Sequence, residues 1–348
     1  FAVYPFAAAL FKEANYPKRF VAPVIALGAF TATMDCLPGT PQIQNIIPTT
    51  YFGTNLYAAP LAGIIGAIII YGGGIFYLTH RLRHAVANGE GYGNHKINEP
   101  EHNEDMTYVN WKLAVIPLLA VLIINFVITE CVVWDPDILT PFQQMKGIPL
   151  VAAKLKNVVS IWALIISLVV GIVLALIVGK REIKSVDGLT KILNAGAIGS
   201  LLAIMNTASE VGYGNVISQL PGFADVAHFL INIHIGGTPL VSEAISVTVL
   251  AGITGSASGG MSIALELMSQ DWLTWAQSIG MGPEILHRVA SMASGGLDTL
   301  PHNGAVITLL AVCGLSHRES YKDIFAITLM KTFAVFVIIL IYSVTGLH

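Results

Sequence analysis

Met34-Asp-Cys-Leu-Pro-Gly-Thr-Pro41 and Leu297-Asp-Thr-Leu-Pro-His-Asn-Gly304 are two versions of one pattern. Each carries Asp-x-Leu-Pro, and Asp35 and Asp298 stand 263 residues apart. Each follows small residues, Thr31-Ala-Thr in one case and Ala293-Ser-Gly-Gly in the other, and each leads into an apolar run. Pro38 and Pro301 remove a backbone donor and interrupt a helix. The half-helix that follows presents free N–H groups and the positive end of its dipole, which suits an anion. Paired Gly/Pro-interrupted segments in two halves of a hydrophobic chain point to a transporter binding site near mid-membrane.

Composition says which solvent surrounds these breaks. Of 348 residues, 54% are hydrophobic and 11% charged, with a mean hydropathy of +0.70. Soluble globular chains run about 45–50% apolar and about 25% charged. The 18 Lys+Arg and 21 Asp+Glu are too few to coat a water-soluble protein of this size, which argues against a soluble enzyme. A disordered chain and a disulfide scaffold are excluded by the same arithmetic. A formal charge of −3 leaves no basic footprint for nucleic acid. The class that fits is an all-α polytopic membrane protein in a lipid bilayer.

A bilayer core takes about 20 apolar residues per helix. Residues 56–78, 113–129, 157–179 and 332–347 carry no charge and read as continuous spans. Their length excludes the alternating strands of a barrel and leaves helices. Residues 192–209, 244–265 and 299–316 also lack Lys, Arg, Asp and Glu, yet are crowded with Gly, Ser, Thr, Asn and Pro. Gly196 and Gly199 suit close helix packing. Thr254-Gly-Ser-Ala-Ser-Gly-Gly260 would make a poor helix and is expected to unwind beside a cavity. The loops 80–110, 130–156 and 180–191 carry the charge. Arg81, Arg83, Lys96 and Lys112 fall on the same side as Lys180, Arg181, Lys184 and Lys191, opposite Lys146, Lys154 and Lys156. The positive-inside rule favours the cytoplasm for the first group.

An Asp at membrane depth needs a partner, a bound ion or a proton, so Asp35 and Asp298 read as coupling sites. The competing reading is that each caps the half-helix beginning after it. Glu243 and Glu210, inside apolar stretches, are further proton sites or packing elements, and His234 with Gly236-Gly-Thr-Pro239 marks another break. His302 is either a proton relay or a hydrogen-bonded structural residue. Arg288 is the one strong cation between Lys191 and Arg318, and Pro283 and Glu284 beside it suggest a membrane-edge loop over a buried clamp. Cys36, Cys131 and Cys313 lack metal-ligand spacing and read as reduced thiols. His84, His95 and His102 share a polar loop without a metal-binding pattern, so no metal or cofactor is expected.

Thr254-Gly-Ser-Ala-Ser-Gly-Gly-Met-Ser-Ile263, Leu297-Asp-Thr-Leu-Pro-His-Asn-Gly-Ala-Val-Ile-Thr308 and Gly314-Leu-Ser-His-Arg-Glu-Ser-Tyr-Lys322 resemble the gluconate permease (GntP) family of the ion-transporter superfamily. The resemblance covers nearly the whole chain. The Asp-x-Leu-Pro-His-Asn-Gly form of the second break is nearer the branch for short hydroxy acids such as 3-hydroxybutyrate than the sugar-acid branch. The resemblance implies proton-coupled symport of a small organic (hydroxy)carboxylate into the cell across a bacterial inner membrane. It also implies two inverted-topology repeats with re-entrant hairpins and broken helices, a homodimeric scaffold and an elevator-like moving domain.

The site residues implied by the resemblance are Thr254, Ser256, Ser258, Asp298, Thr299, His302 and Asn303. The repeat adds Asp35, Gly39, Thr40 and Asn45 on the first side, and Asp35, Asp298 and Glu243 are the proton-coupling set. The chain divides into 1–78, the C-terminal part of the first repeat; 79–184, polar loops and linking membrane helices; and 185–348, the second repeat. With symmetric halves the offset carries 254–260 to a point before Phe1, so the N-terminal part of the first repeat, roughly 75 residues or more, is expected ahead of it. A passive organic-anion channel and an intramembrane aspartyl protease sharing one proton between Asp35 and Asp298 are the alternatives. The Gly/Ser run lacks the Gly-Lys-Ser/Thr ending of a phosphate-binding loop.

Overall fold

In lipid the backbone has no water to bond, so apolar segments close their N–H and C=O groups within helices. The computed structural model describes residues 3–99, 110–135, 158–180, 185–233 and 235–347, with single positions 138, 155 and 183 between them. Every regular element among them is helical. In chain order these are α1 (Val3–Glu13), α2 (Val21–Ala29), α3 (Ala32–Asp35), α4 (Ile43–Phe52), α5 (Pro60–Ala87), α6 (Trp111–Ala114) and α7 (Ile116–Phe126). A π-helical turn, Val127–Cys131, prolongs α7. Then follow α8 (Val159–Val178), α9 (Val186–Ser218), α10 (Pro221–Ile231), α11 (Leu240–Thr254) and α12 (Ala257–Ser278). The last three are α13 (Pro283–Ser294), α14 (Gly304–Cys313) and α15 (His317–Thr345).

Among the described residues four stretches are long and apolar enough to cross a membrane: Pro60–Ala87, Lys112–Thr129, Ile161–Val178 and His317–Thr345. They overlap the four spans read from the sequence, with two corrections. α5 continues past residue 78 and carries His80, Arg81, Arg83 and His84 on helix instead of loop. α15 begins at His317, so residues 332–347 are only the C-terminal half of a longer helix. Both extensions are polar turns, and hydropathy alone stops short of them. α9 runs unbroken through 192–209, but a side chain at Gly196 would meet nothing within 4 Å, so the close packing expected there is not made. The cations Lys146, Lys154, Lys156, Arg181 and Lys184, with His102, lie outside the described residues.

The 263-residue offset holds for whole helices. Shifted back by it, α13 falls on 20–31, beside α2, and α14 falls on 41–50, beside α4. Packing is reciprocal as well. α13 lies against α4 while α2 lies against α14, α15 packs on α2 while α5 packs on α13, and α5 and α15 pack on each other. Each break is therefore walled by helices of both halves. The hairpin α11–α12 packs on α13 and α4 and completes the enclosure. Close approach at this crossing depends on Gly63 of α5, where a Cβ would strike the Cys36 carbonyl.

A polar rim ties the 88–99 segment to this frame. The Arg19 fork holds Glu90 at 2.5 and 2.9 Å and reaches Asp323 at 3.5 Å, while Arg81 and Tyr77 meet Asp323 at 3.0 and 2.9 Å. Lys18 holds Glu99 at 2.8 Å. The Arg19 guanidinium keeps the Glu90 carboxyl below the usual carboxylate range. A carboxyl lowered on folding stabilises above its unfolded pKa, about 4.3 for Glu, and loses that contribution as pH falls through the lower folded value. Glu90→Gln is thus expected to lower the unfolding temperature at pH 7 by under about 1 kcal/mol equivalent, since the pair is partly exposed. The difference from wild type should shrink as pH falls below the ordinary Glu range, as read by thermal unfolding in detergent.

Candidate functional site

The first break follows α2. Thr31 leaves helical geometry at φ −132° and ψ −128°, α3 makes one turn, and Cys36–Gln42 runs irregularly to α4. Gly39 sits at φ +76°, its N–H bonded to the Leu56 carbonyl at 2.9 Å and its Cα against the Tyr57 ring. Thr40 Oγ1 donates to the Thr33 carbonyl. Asn45 Nδ2 donates to the carbonyls of Thr40 and Leu56 at 3.0 and 2.9 Å.

This irregular backbone has buried carbonyls that need donors, and α13 supplies them. Arg288 donates to Ala58 O at 3.1 and 2.8 Å, to Asp35 O and Asn45 Oδ1 at 3.1 Å each, and to Leu56 O at 3.4 Å. Ser291 Oγ donates to Asp35 O at 2.9 Å. Because Arg288 can only donate, the Asn45 oxygen faces it. His287 then carries its proton on Nε2, donated to Asn45 Oδ1 at 3.0 Å, while Nδ1 accepts from Thr54 Oγ1 at 2.6 Å. Arg288 is fully buried on a helix, which corrects its assignment to a membrane-edge loop. Pro283 and Glu284 mark the first turn of α13, where proline is tolerated.

The second break, Gly295–Asn303, meets the tip of the α11–α12 hairpin. Asn303 caps α14 by accepting from the N–H groups of Ala305 and Val306 at 2.7 and 3.1 Å, and its Nδ2 donates to Gly255 O at 2.5 Å. His302 Nε2 donates to Gly252 O at 3.0 Å, and its ring covers Gly255. Gly255 is left-handed at φ +67°, and Ser256 caps α12 by accepting from Gly259 N at 3.1 Å. The hairpin turn is therefore two residues, not seven. Ser258, Gly259 and Gly260 are helical, because the Ser256 cap and Gly255 concentrate the break. Thr254 Oγ1 bonds back to Leu250 O at 2.8 Å. Gly260 lies on the Ala251 backbone, where no Cβ fits. Gly260→Ala is expected to destabilise by about 1–3 kcal/mol, read as a lower unfolding temperature, because backbone and not a side chain must move.

The two breaks converge on three charges. Asp298 is 5% exposed and pairs with the buried Lys331 of α15 at 2.5 Å, and Lys331 also donates to Phe30 O at 2.9 Å. Thr299 Oγ1 shares a 2.6 Å hydrogen bond with Thr328. Asp35 is 1% exposed, and among the described residues neither carboxylate oxygen meets a hydrogen-bond partner, although Lys331, Asp298 and Arg288 lie within electrostatic range. The neighbouring Cys36 thiol, a weak donor, is set against it. Neither Asp caps a helix: Asn303 caps α14, and α4 starts at Gln42 with no side-chain cap. Glu243 on α11 is fully buried, and among the described residues neither of its oxygens is hydrogen-bonded and no charged group stands near it.

The structure thus gathers Asp35, Asp298 and Thr299 with Lys331, and separately gathers Thr254, Ser256, Ser258, His302 and Asn303 at the hairpin tip. Gly39, Thr40 and Asn45 are bound into the first break's own hydrogen bonds, and Glu243 stands apart on α11. Lys331 and His287 were missed. A lone Lys inside an apolar run and a His-Arg pair on an otherwise small-residue segment were the available signals. His234 and the Glu210 side chain lie outside the described residues. Among the described residues no three His, Cys, Asp or Glu cluster as a metal set, and Cys36, Cys131 and Cys313 are free thiols.

Over 356 aligned residues, all of this chain and 74% of the relative, the sequence is 49% identical to the uncharacterized transporter YxjC of Bacillus subtilis (strain 168). The chain belongs to the YxjC family. No family model matches it and no solved structure matches it. As a YxjC-family member it is a multi-pass membrane transporter and not an enzyme, which removes the aspartyl-protease reading. The geometry agrees with that exclusion, since Asp298 is held by Lys331 and not by Asp35. In this YxjC-family chain irregular backbone meets buried charge at the two breaks, an arrangement also found in broken-helix transporters.

Proposed function

We propose that this protein is a secondary active transporter that imports a small organic hydroxycarboxylate together with protons across a bacterial inner membrane. On this reading it is a member of the gluconate permease (GntP) family, nearer the short hydroxy-acid branch, built as two inverted repeats and working as a homodimer. The observation that carries the reading is Asp35, a buried carboxylate without a hydrogen-bond partner, beside the Asp298–Lys331 pair where two helix breaks cross. An unpaired buried charge is costly, so a transported proton has a place there.

Two further features support an anionic substrate. The N-terminus of α4 lacks a side-chain cap, and Gln42 and Ile43 at its start are exposed, so its free N–H groups suit a carboxylate. Hydroxyls and amides at the hairpin tip, from Thr254, Ser256, Ser258 and Asn303, suit the substrate's hydroxyl group. His302 adjoins the same hairpin tip, Thr299 lies buried with Asp298, and Gly39, Thr40 and Asn45 shape the approach to α4. The test is reconstitution of the full protein into liposomes with an imposed pH gradient, scanning labelled gluconate, lactate, butyrate and 3-hydroxybutyrate. Gradient-driven accumulation of a hydroxy acid is expected. Downhill flux that ignores the gradient would make the protein a passive anion channel.

A further inference from the structure

Asp35 and Asp298 hold the same place in the two breaks, yet only one has a fixed counter-ion. Lys331 stands 2.5 Å from Asp298, whereas among the described residues only the weak Cys36 thiol is set against the Asp35 carboxylate. Under the 263-residue offset Lys331 corresponds to Ile68, which is 66% exposed, so the first half carries no cation at the matching position. We propose that Asp35 is the single carboxylate that takes up the coupling proton, and that Lys331 is a built-in cation filling the equivalent place at Asp298. This rests on the symport reading above and narrows it to one residue.

The surroundings favour a proton over a metal cation. A bare cation needs several oxygen ligands. The Asp35 carbonyl already accepts from Arg288 and Ser291, and its carboxylate lies against Gly295. A proton needs no ligand beyond the carboxylate itself. The ionisable groups around Asp35 are Cys36 beside it, Arg288 and His287 on α13, Lys331 on α15, and Asp298. α2 has none, α4 has only Tyr51, and on α5 the charged residues begin at His80, with Arg81 engaged by Asp323. A change of charge at Asp35 is therefore felt by the Asp298–Lys331 pair. Glu243 lacks that connection, because among the described residues no charged group stands near it. A proton on Glu243 would be silent at the breaks, and a proton on Asp298 would have to displace a lysine.

Two experiments on the full chain test this. Wild-type protein in detergent is treated with dicyclohexylcarbodiimide, which modifies protonated carboxyls in apolar surroundings, and its peptides are mapped by mass. An adduct on Asp35 that declines as pH rises is expected; an adduct on Asp298 or Glu243 with none on Asp35 overturns the proposal. In liposomes, with labelled 3-hydroxybutyrate as probe, Asp35→Asn should lower pH-driven accumulation about tenfold or more while exchange of labelled for unlabelled acid persists. Asp35→Glu should restore accumulation. The double variant Asp298→Asn/Lys331→Met should keep its gradient dependence whatever its rate. Gradient-driven accumulation by Asp35→Asn, or its loss in an exchanging double variant, overturns the proposal. Wild-type liposomes that exchange the acid yet ignore the gradient overturn the symport reading itself. The labelling experiment needs no variant, so a misfolded Asp35→Asn leaves the question answerable.

Discussion

Arg288→Met is expected to destabilise the protein at its first break. The guanidinium bonds the carbonyls of Asp35, Leu56 and Ala58 and the Asn45 side chain, all within a buried crossing. Leu56 O and Asp35 O keep second donors in Asn45 and Ser291, but Ala58 O loses both of the bonds that Arg288 gives it. Each buried group left unsatisfied costs about 1–3 kcal/mol. With the Ala58 carbonyl left bare, about 1–3 kcal/mol follows, seen as a fall in unfolding temperature on the order of 2–10 °C. Arg288→Lys should rescue little, because one ammonium cannot reproduce a planar fork serving several carbonyls. An unfolding temperature for Arg288→Met equal to wild type would show that the clamp does not hold the first break.

Lys331→Met should cost at least as much, for a different reason. It removes the partner of a buried carboxylate, and breaking a buried pair by deleting one member costs about 3–5 kcal/mol. It also leaves Phe30 O without the 2.9 Å bond from Lys331. Adding Asp298→Asn should recover most of the loss, since two neutral residues leave no uncompensated charge. The thermal double-mutant cycle should give a coupling of about 2–3 kcal/mol. Additive effects would mean that the 2.5 Å contact between Lys331 and Asp298 is not an energetic pair.

Both effects depend on residues that the sequence presents ambiguously. Arg288 reads as a loop cation because Pro283 and Glu284 precede it, and only the packing of α13 against α4 shows why a helix buries it. Lys331 reads as the edge of a membrane span, since hydropathy treats an isolated charge in an apolar run as a boundary. The hairpin break reads as seven small residues, but one left-handed glycine and one serine cap complete the reversal, and the remaining residues return to helix. The capping role considered for the two aspartates fails at α14 because Asn303, further along, reaches the free N–H groups.

What the sequence determines by itself is local. Apolar runs of membrane length impose helices, since lipid leaves the backbone no other partner. Pro38, Pro301 and the small residues before them impose the breaks, since proline and glycine act on their own turn. The recurrence of Asp-x-Leu-Pro after 263 residues marks the two breaks as a pair. What only the tertiary structure decides is which charge faces which. Asp298 finds its lysine 33 residues away and the Asp35 carbonyl finds its arginine 253 residues away. Such partners follow from how helices cross, and no periodicity or spacing along the chain encodes a crossing. Two aspartates alike in sequence therefore become unlike in the fold: one is paired with Lys331, while the other is buried without a hydrogen-bond partner.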